Sequence, residues 1–200
     1  MSPSAKPRRL RGMLAALLGS LTVLSACSTG SHAVDVNNGG QFRFVAGTPA
    51  GTVISPADRK KAPAFSGTLL RGERFSSGQL AGHIAVINFW GSWCAPCRVE
   101  TPEFQQVYSE VKDRGVRFLG VDVKEDKQFA LAFVQSQGIE YPSLYDPSGE
   151  VALAFRDYPA NAIPSTILLD PRGRVAAVYT GPVTRADLNR VITGLVQEEG

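Results

Sequence analysis

A chain of 200 residues, 44% of them apolar, is one domain's worth of sequence with enough apolar content for a single core. Its net charge of +3 is more than accounted for by Lys6, Arg8, Arg9 and Arg11 near the start, so the remainder is close to neutral and gives no case for a nucleic-acid partner. Three cysteines and two histidines also leave little from which to build a four-ligand zinc site.

Taken in chain order, residues 1–26 read as an export signal. Basic residues precede the apolar run Met13 to Ala26, which is too short for a membrane-spanning helix of ~20 residues. The Arg8-Arg9 pair matches a twin-arginine signal poorly, and general secretion is the better default. Leu24-Ser25-Ala26-Cys27 resembles a bacterial lipobox, which implies that Cys27 is diacylated and becomes the first residue of the mature protein. The alternative is an ordinary signal peptide that precedes a cysteine by chance; lipidation also accounts for the odd third cysteine.

Residues 27–61 are expected to form a flexible, lipid-anchored linker. Ser28-Thr29-Gly30-Ser31 and Asn37-Asn38-Gly39-Gly40 are polar and glycine-containing. Gln41 to Val45 could make a short strand, while Pro49, Gly51, Pro56 and Pro63 keep the stretch through Ala64 largely irregular. The basic run Arg59, Lys60 and Lys61 reads as a solvated part of this linker.

From residue 62 to 200 the pattern is that of a folded domain. Thr68 to Leu70 and Arg74 to Phe75 flank Arg71-Gly72-Glu73, a hairpin turn. Ile84 to Trp90 is a short run rich in β-branched and aromatic residues, hence a buried strand. A helix follows from Pro96, with Val99, Phe104, Val107, Tyr108 and Val111 near helical spacing and Pro102 expected to kink it. Val116 to Val121 is a second strand, parallel to the first if the intervening helix is a crossover. Phe129, Ala132, Phe133 and Val134 predict a further helix, with Phe and Val as core. An extended piece around Tyr141 to Tyr145 and a short helix from Gly149 to Phe155 come next. Ser165 to Leu169 and Val175 to Tyr179 form a hairpin over Asp170-Pro171-Arg172-Gly173. Thr184 and Asp187 then cap a terminal helix whose Leu188, Val191, Ile192 and Leu195 face the sheet.

Trp93-Cys94-Ala95-Pro96-Cys97 sits between the first buried strand and its helix. Two thiols at that spacing can close and open a disulfide reversibly. A helix N-terminus favours the thiolate, so Cys94 is read as the attacking sulfur and Cys97, one turn further in, as the resolving one. A purely structural bridge across so small a loop would stabilise little. Zinc would need ligands that only Cys27, His32 and His83 could supply. Copper delivery would call for a wider spacing and a downstream histidine, and no histidine follows Cys97. A thiol peroxidase of related fold would need its reactive cysteine in a different motif. No cofactor or metal is expected.

The Trp93 to Cys97 motif, Asn88-Phe89-Trp90 and Ile163-Pro164-Ser165-Thr166 together resemble the thioredoxin fold. Ala62-Pro63-Ala64-Phe65, Leu80-Ala81-Gly82-His83 and Cys97-Arg98-Val99-Glu100-Thr101-Pro102 resemble its membrane-anchored TlpA/ResA branch. The resemblance spans about residues 62–197. It implies an α/β fold in which helices flank a mixed central sheet, with an N-terminal β-hairpin extension and a central αβ insert. It further implies that Ile163-Pro164 is a cis peptide beside the cysteines, and that Trp93, Ile163 and Pro164 meet an extended substrate segment. Thioredoxin carries a buried Asp where this chain has Asn88, which cannot take a proton; in this branch Glu100 is the residue associated with proton handling. A half-buried carboxyl there should have a raised pKa, and the alternative is an exposed first-turn Glu placed for the helix dipole.

The activity so implied is thiol:disulfide exchange on the outer face of the cytoplasmic membrane, in the reducing direction. Partners would be disulfide-containing exported proteins such as apocytochrome c, with electrons from a membrane thiol carrier. A disulfide-forming oxidase is the alternative within this chemistry, because related folds range from about −270 mV to about −120 mV and Ala95-Pro96 does not set the value. From a different class, a tethered binding or chaperone module would use the cleft without turnover.

Overall fold

A computed structural model describes residues 51–198. The export signal, Cys27, most of the linker and the strand considered at Gln41 to Val45 lie outside those residues. Among the described residues no helix is long and apolar enough to cross a membrane.

The centre of the molecule is built from the two runs with the fewest polar residues. Strand β4 (Ile84–Trp90) and β5 (Val116–Val123) pair in parallel from Ile84 with Val116 to Trp90 with Asp122. Between them α1 (Ala95–Val111) crosses over. Eight strands form one mixed sheet in the order β1-β8-β7-β4-β5-β6-β2-β3. Here β1 is Thr52–Val53, β2 Ser66–Leu69, β3 Arg74–Ser76, β6 Ser143–Asp146, β7 Ser165–Leu169 and β8 Val175–Thr180. The expected hairpin β2–β3 forms, and β2 pairs antiparallel with β6 at one edge. The hairpin β7–β8 joins β4 on its other side, also antiparallel.

Alternation along each strand divides the core in two. One face places Val86, Trp90, Phe118 and Leu168 under α1, α2 (Lys127–Gln137) and α4 (Arg185–Gln197). The other places Ile87, Phe89, Leu119 and Ile167 against Phe65 and the short α3 (Glu150–Ala154) with Phe155. Phe155 packs against both Phe65 and Phe89, with ring centroids 5.7 and 5.9 Å away. Each fully buried side chain of this size stabilises the fold by about 1.5–3 kcal/mol. Helix α4 starts as its sequence predicts, with Thr184 Oγ1 accepting the Asp187 N–H at 3.2 Å.

Three expectations are corrected. Val99 is 73% exposed, because the buried stripe of α1 runs through Cys97, Glu100, Thr101, Phe104, Val107 and Val111, and position 99 falls outside that i, i+3, i+4 series. In α2 the buried residues are Ala130 and Phe133, which leaves Phe129 and Ala132 exposed.

The third concerns Arg59, which is buried rather than solvated. β1 pairs with β8, the Val175 N–H donates to Lys60 O, and Lys61 bridges Arg174, so this stretch lies along the sheet edge. The Arg59 guanidinium reaches Glu198 at 2.6 and 2.9 Å and Asp170 at 3.5 Å. Two carboxylates neutralise its buried head.

Candidate active site

β4 ends at Trp90, and Gly91, Ser92 and Trp93 turn the chain into α1, whose N-cap is Cys94. Glycine at 91 lets the Trp93 indole lie against the turn, since a Cβ there would stand 2.4 Å from the indole nitrogen. That nitrogen donates to Val123 O at 3.1 Å, while about half of the Trp93 surface stays exposed. Cys94 and Cys97 form a disulfide with their Cα atoms 5.2 Å apart. The Cys97 N–H points at Cys94 Sγ over 3.2 Å, so a helix N-terminal donor meets the outer sulfur. Such a donor stabilises a thiolate when the bond opens. Cys94 keeps a little exposure and Cys97 none.

Below the disulfide lies Glu100, 2% exposed and on the same stripe of α1. Asn88 Nδ2 donates to its Oε1 at 2.9 Å and the Val183 N–H to its Oε2 at 3.0 Å. Among the described residues no cation joins them. Burial pushes the carboxyl up to about 7, against the downward pull of those two hydrogen bonds. Asn88 also donates to Thr166 Oγ1 at 3.2 Å, which fixes the amide between β4 and β7. The residue that cannot carry a proton therefore orients the one that can.

The Ile163–Pro164 peptide is cis. Ser165 pairs with Phe89 on β4, so Pro164 stands at the sheet end from which the Cys94 turn departs, and its carbonyl accepts the Gly181 N–H at 2.9 Å. Ile163 is half-buried between the two halves of the core. An apolar pocket beside it is lined by Val123, Ala152, Leu153 and Tyr158 with Lys124 and Arg156 at its rim. All six predicted site residues within the described region, Trp93, Cys94, Cys97, Glu100, Ile163 and Pro164, thus gather at one end of the sheet. Cys27 lies outside it.

Two acidic residues escaped the sequence reading. Glu125 accepts the Ser92 N–H at 2.5 Å and the Ser92 hydroxyl, tying the cysteine turn to the end of β5. Asp122 is completely buried in β5 beside it. The available signal was an aspartate inside the otherwise apolar run Val116 to Val123. Among the described residues there is no group of three or more His, Cys, Asp or Glu that could hold a metal ion.

Comparison with known proteins agrees with this geometry. The model of the AhpC/TSA family matches residues 59–178. The thiol-disulfide oxidoreductase ResA of Bacillus subtilis (strain 168) is 33% identical over 132 residues, covering 66% of this chain and 72% of ResA. A secreted thiol-disulfide isomerase from Corynebacterium glutamicum superposes with a TM-score of 0.73 at 34% identity, over 80% of this chain and 99% of its own. A DsbF homologue from Corynebacterium diphtheriae gives a TM-score of 0.71 at 35% identity, over 78% of this chain and 99% of its own.

Proposed function

From the premise that this chain belongs to the AhpC/TSA family and is a thiol:disulfide oxidoreductase of ResA/DsbE type, we propose that it reduces disulfides in exported proteins outside the cytoplasmic membrane. The observation that carries the reading is a disulfide at a helix N-terminus with a buried, cation-free carboxyl beneath it that titrates near neutrality. Cys94 as thiolate attacks the substrate disulfide and forms a mixed disulfide, and one substrate sulfur leaves as thiolate. Cys97, deprotonated with Glu100 as acceptor, then attacks Cys94, releases the second substrate thiol and closes the Cys94–Cys97 bond. Trp93, Ile163 and Pro164 form the platform for an extended substrate segment. Apocytochrome c is the proposed client, since its haem-attachment cysteines must be reduced before ligation, and a membrane thiol carrier re-reduces the pair. Cys27 carries the lipid that holds the protein at the membrane.

Expression of the Cys97→Ser variant tests this. Exported proteins should accumulate as mixed disulfides through Cys94, and their absence would overturn the assignment of roles. A reduction potential near about −120 mV against glutathione would replace the reductase with an oxidase. Function retained when both cysteines are serine would point to a binding module. Membrane retention lost in Cys27→Ala checks the anchor.

A further inference from the structure

Asp122 stands at the carboxyl end of β5, the end that carries the disulfide, with Trp90 beside it on β4 and Tyr145 on β6. It is completely buried, and neither of its carboxyl oxygens meets a protein donor. The polar atoms one pleat away, Trp90 Nε1 and Ser143 Oγ, crowd over Gly120, 2.6 and 2.4 Å from where a Cβ would stand, and do not reach it. The Tyr145 hydroxyl donates to Glu125 O at 3.2 Å instead. Asp146 accepts the Glu150 and Val151 N–H groups, and on the α1 side Glu100 is held by Asn88 and Val183. The charges acting on Asp122 are those of Glu125 and Asp146, both negative.

Glu125 is the neighbour that resolves this. Ionised, both carboxylates only accept hydrogen bonds, so they can bond to each other only when one holds a proton. Burial decides which: Asp122, removed from water, keeps it, and the partly exposed Glu125 accepts from it while holding Ser92. A bond from a carboxylic acid to a carboxylate is charge-assisted and correspondingly strong.

We propose that a proton held on Asp122 and donated to Glu125 positions the Ser92–Cys94 turn, making Asp122 a positioning residue for the attacking sulfur. The chain of contacts runs from the Asp122 carboxyl to the Glu125 carboxylate, to the Ser92 N–H and hydroxyl, and so to the backbone leading into Cys94. This rests on Cys94 being the attacking sulfur. Burial, then the adjoining Glu125 and Asp146, push Asp122 up to about 9, so the proton stays at neutral pH and leaves in alkaline solution. Two adjoining negative charges then oppose each other, loosen the hold on Ser92 and disfavour a third at Cys94.

The test compares the full chain, its cysteine pair first reduced with a phosphine and the reductant removed, with Asp122→Asn and Asp122→Leu treated alike. At about pH 8 the infrared difference between wild type and Asp122→Asn should contain the C=O stretch of one protonated carboxylic acid, and in wild type that band should fade as pH passes about 9. The asparagine amide donates to Glu125 at every pH, so Asp122→Asn should keep the Ser92 amide protected and lose the alkaline fall in Cys94 alkylation rate. Leucine has no donor; Ser92 amide exchange should rise by about tenfold or more and alkylation slow several-fold at neutral pH. Absence of the acid band, or unchanged Ser92 exchange in Asp122→Leu, overturns the proposal. Should Asp122→Leu fail to fold, the infrared comparison with Asp122→Asn decides alone. Peptide mapping of the alkylated product separates the premise: label at Cys97 would refute the attacking role of Cys94, while the band and the Ser92 exchange would still report on Asp122.

Discussion

The two ends of the central sheet handle buried carboxyls in opposite ways. At the disulfide end, Glu100 is bound only by the neutral donors of Asn88 and Val183, and its pKa is raised. At the other end Asp170, equally buried, takes Arg174 Nε at 2.8 Å, the Arg174 N–H at 2.9 Å and Arg59 at 3.5 Å. Burial alone would raise Asp170 too, but the Arg174 and Arg59 bonds outweigh it and the pKa falls. Burial is shared by both sites; the partner decides the direction. One end is arranged to hold a proton that can move, the other to hold a charge that cannot.

The largest effect that could break this comparison is expected from Arg59→Met. It removes a guanidinium that is buried between Asp170 and Glu198, and since Asp170 keeps Arg174 it should destabilise by about 1.5–3 kcal/mol in urea unfolding. The thiol titration of Cys94 should not change, since the site lies at the far end. A coupled shift would show that the two ends are not independent.

Glu100→Gln should act in the opposite direction. Folding raises the Glu100 value from 4.5 to about 7, so its contribution is fully present below about pH 4.5 and is lost as pH rises through about 7. By linkage that loss is about 3 kcal/mol. The variant lacks it, and above pH 7 should be more stable than wild type by about 1–2 kcal/mol, the remainder offset because the Val183 N–H loses an acceptor. Its thiol titration should shift; an unchanged titration would reduce Glu100 to a structural residue. Asp170 runs the other way: its stabilisation is present above the ordinary value of 3.8 and is lost as pH falls through the depressed folded value. The pH profile of wild-type stability should therefore fall on both sides, from Asp170 in acid and from Glu100 toward neutrality.

The smallest effect sharpens the contrast between buried and exposed pairing. Lys112 and Glu140 form an exposed pair at 3.2 Å. Lys112→Met should leave the urea-unfolding midpoint within error of wild type, in contrast to the loss at Arg59. A value comparable to Arg59→Met would mean that charge itself, and not its removal from water, sets the scale.

What could be read from the sequence follows the range of the interaction. The run Ile84 to Trp90, the cysteine spacing, the Thr184 cap and the turn before Val175 are written in neighbouring residues, and each is found where local pattern puts it. Glu100 was reachable because three positions from Cys97 is nearly one helical turn. Arg59 was not: its partners stand 111 and 139 positions away, and nothing beside Lys60 and Lys61 announces them. In the sequence Asn88 is conspicuous for what it lacks, a titratable proton, whereas its amide donates to Glu100 twelve positions on. The apolar character of Phe129 suggests the core, yet the buried face of α2 is set by Ala130 and Phe133.

The pairing of Arg59 with Glu198 also has a mechanical meaning. It clasps a residue near the start of the described body to one near its end, on the side of the sheet away from Cys94. A pull arriving through residue 51 is carried along the β1–β8 edge to that clasp, and a pull through residue 198 meets it directly. Neither load crosses β4 or the Gly91 to Cys94 turn, so a force applied at residue 51 or residue 198 leaves the part that reacts unstrained.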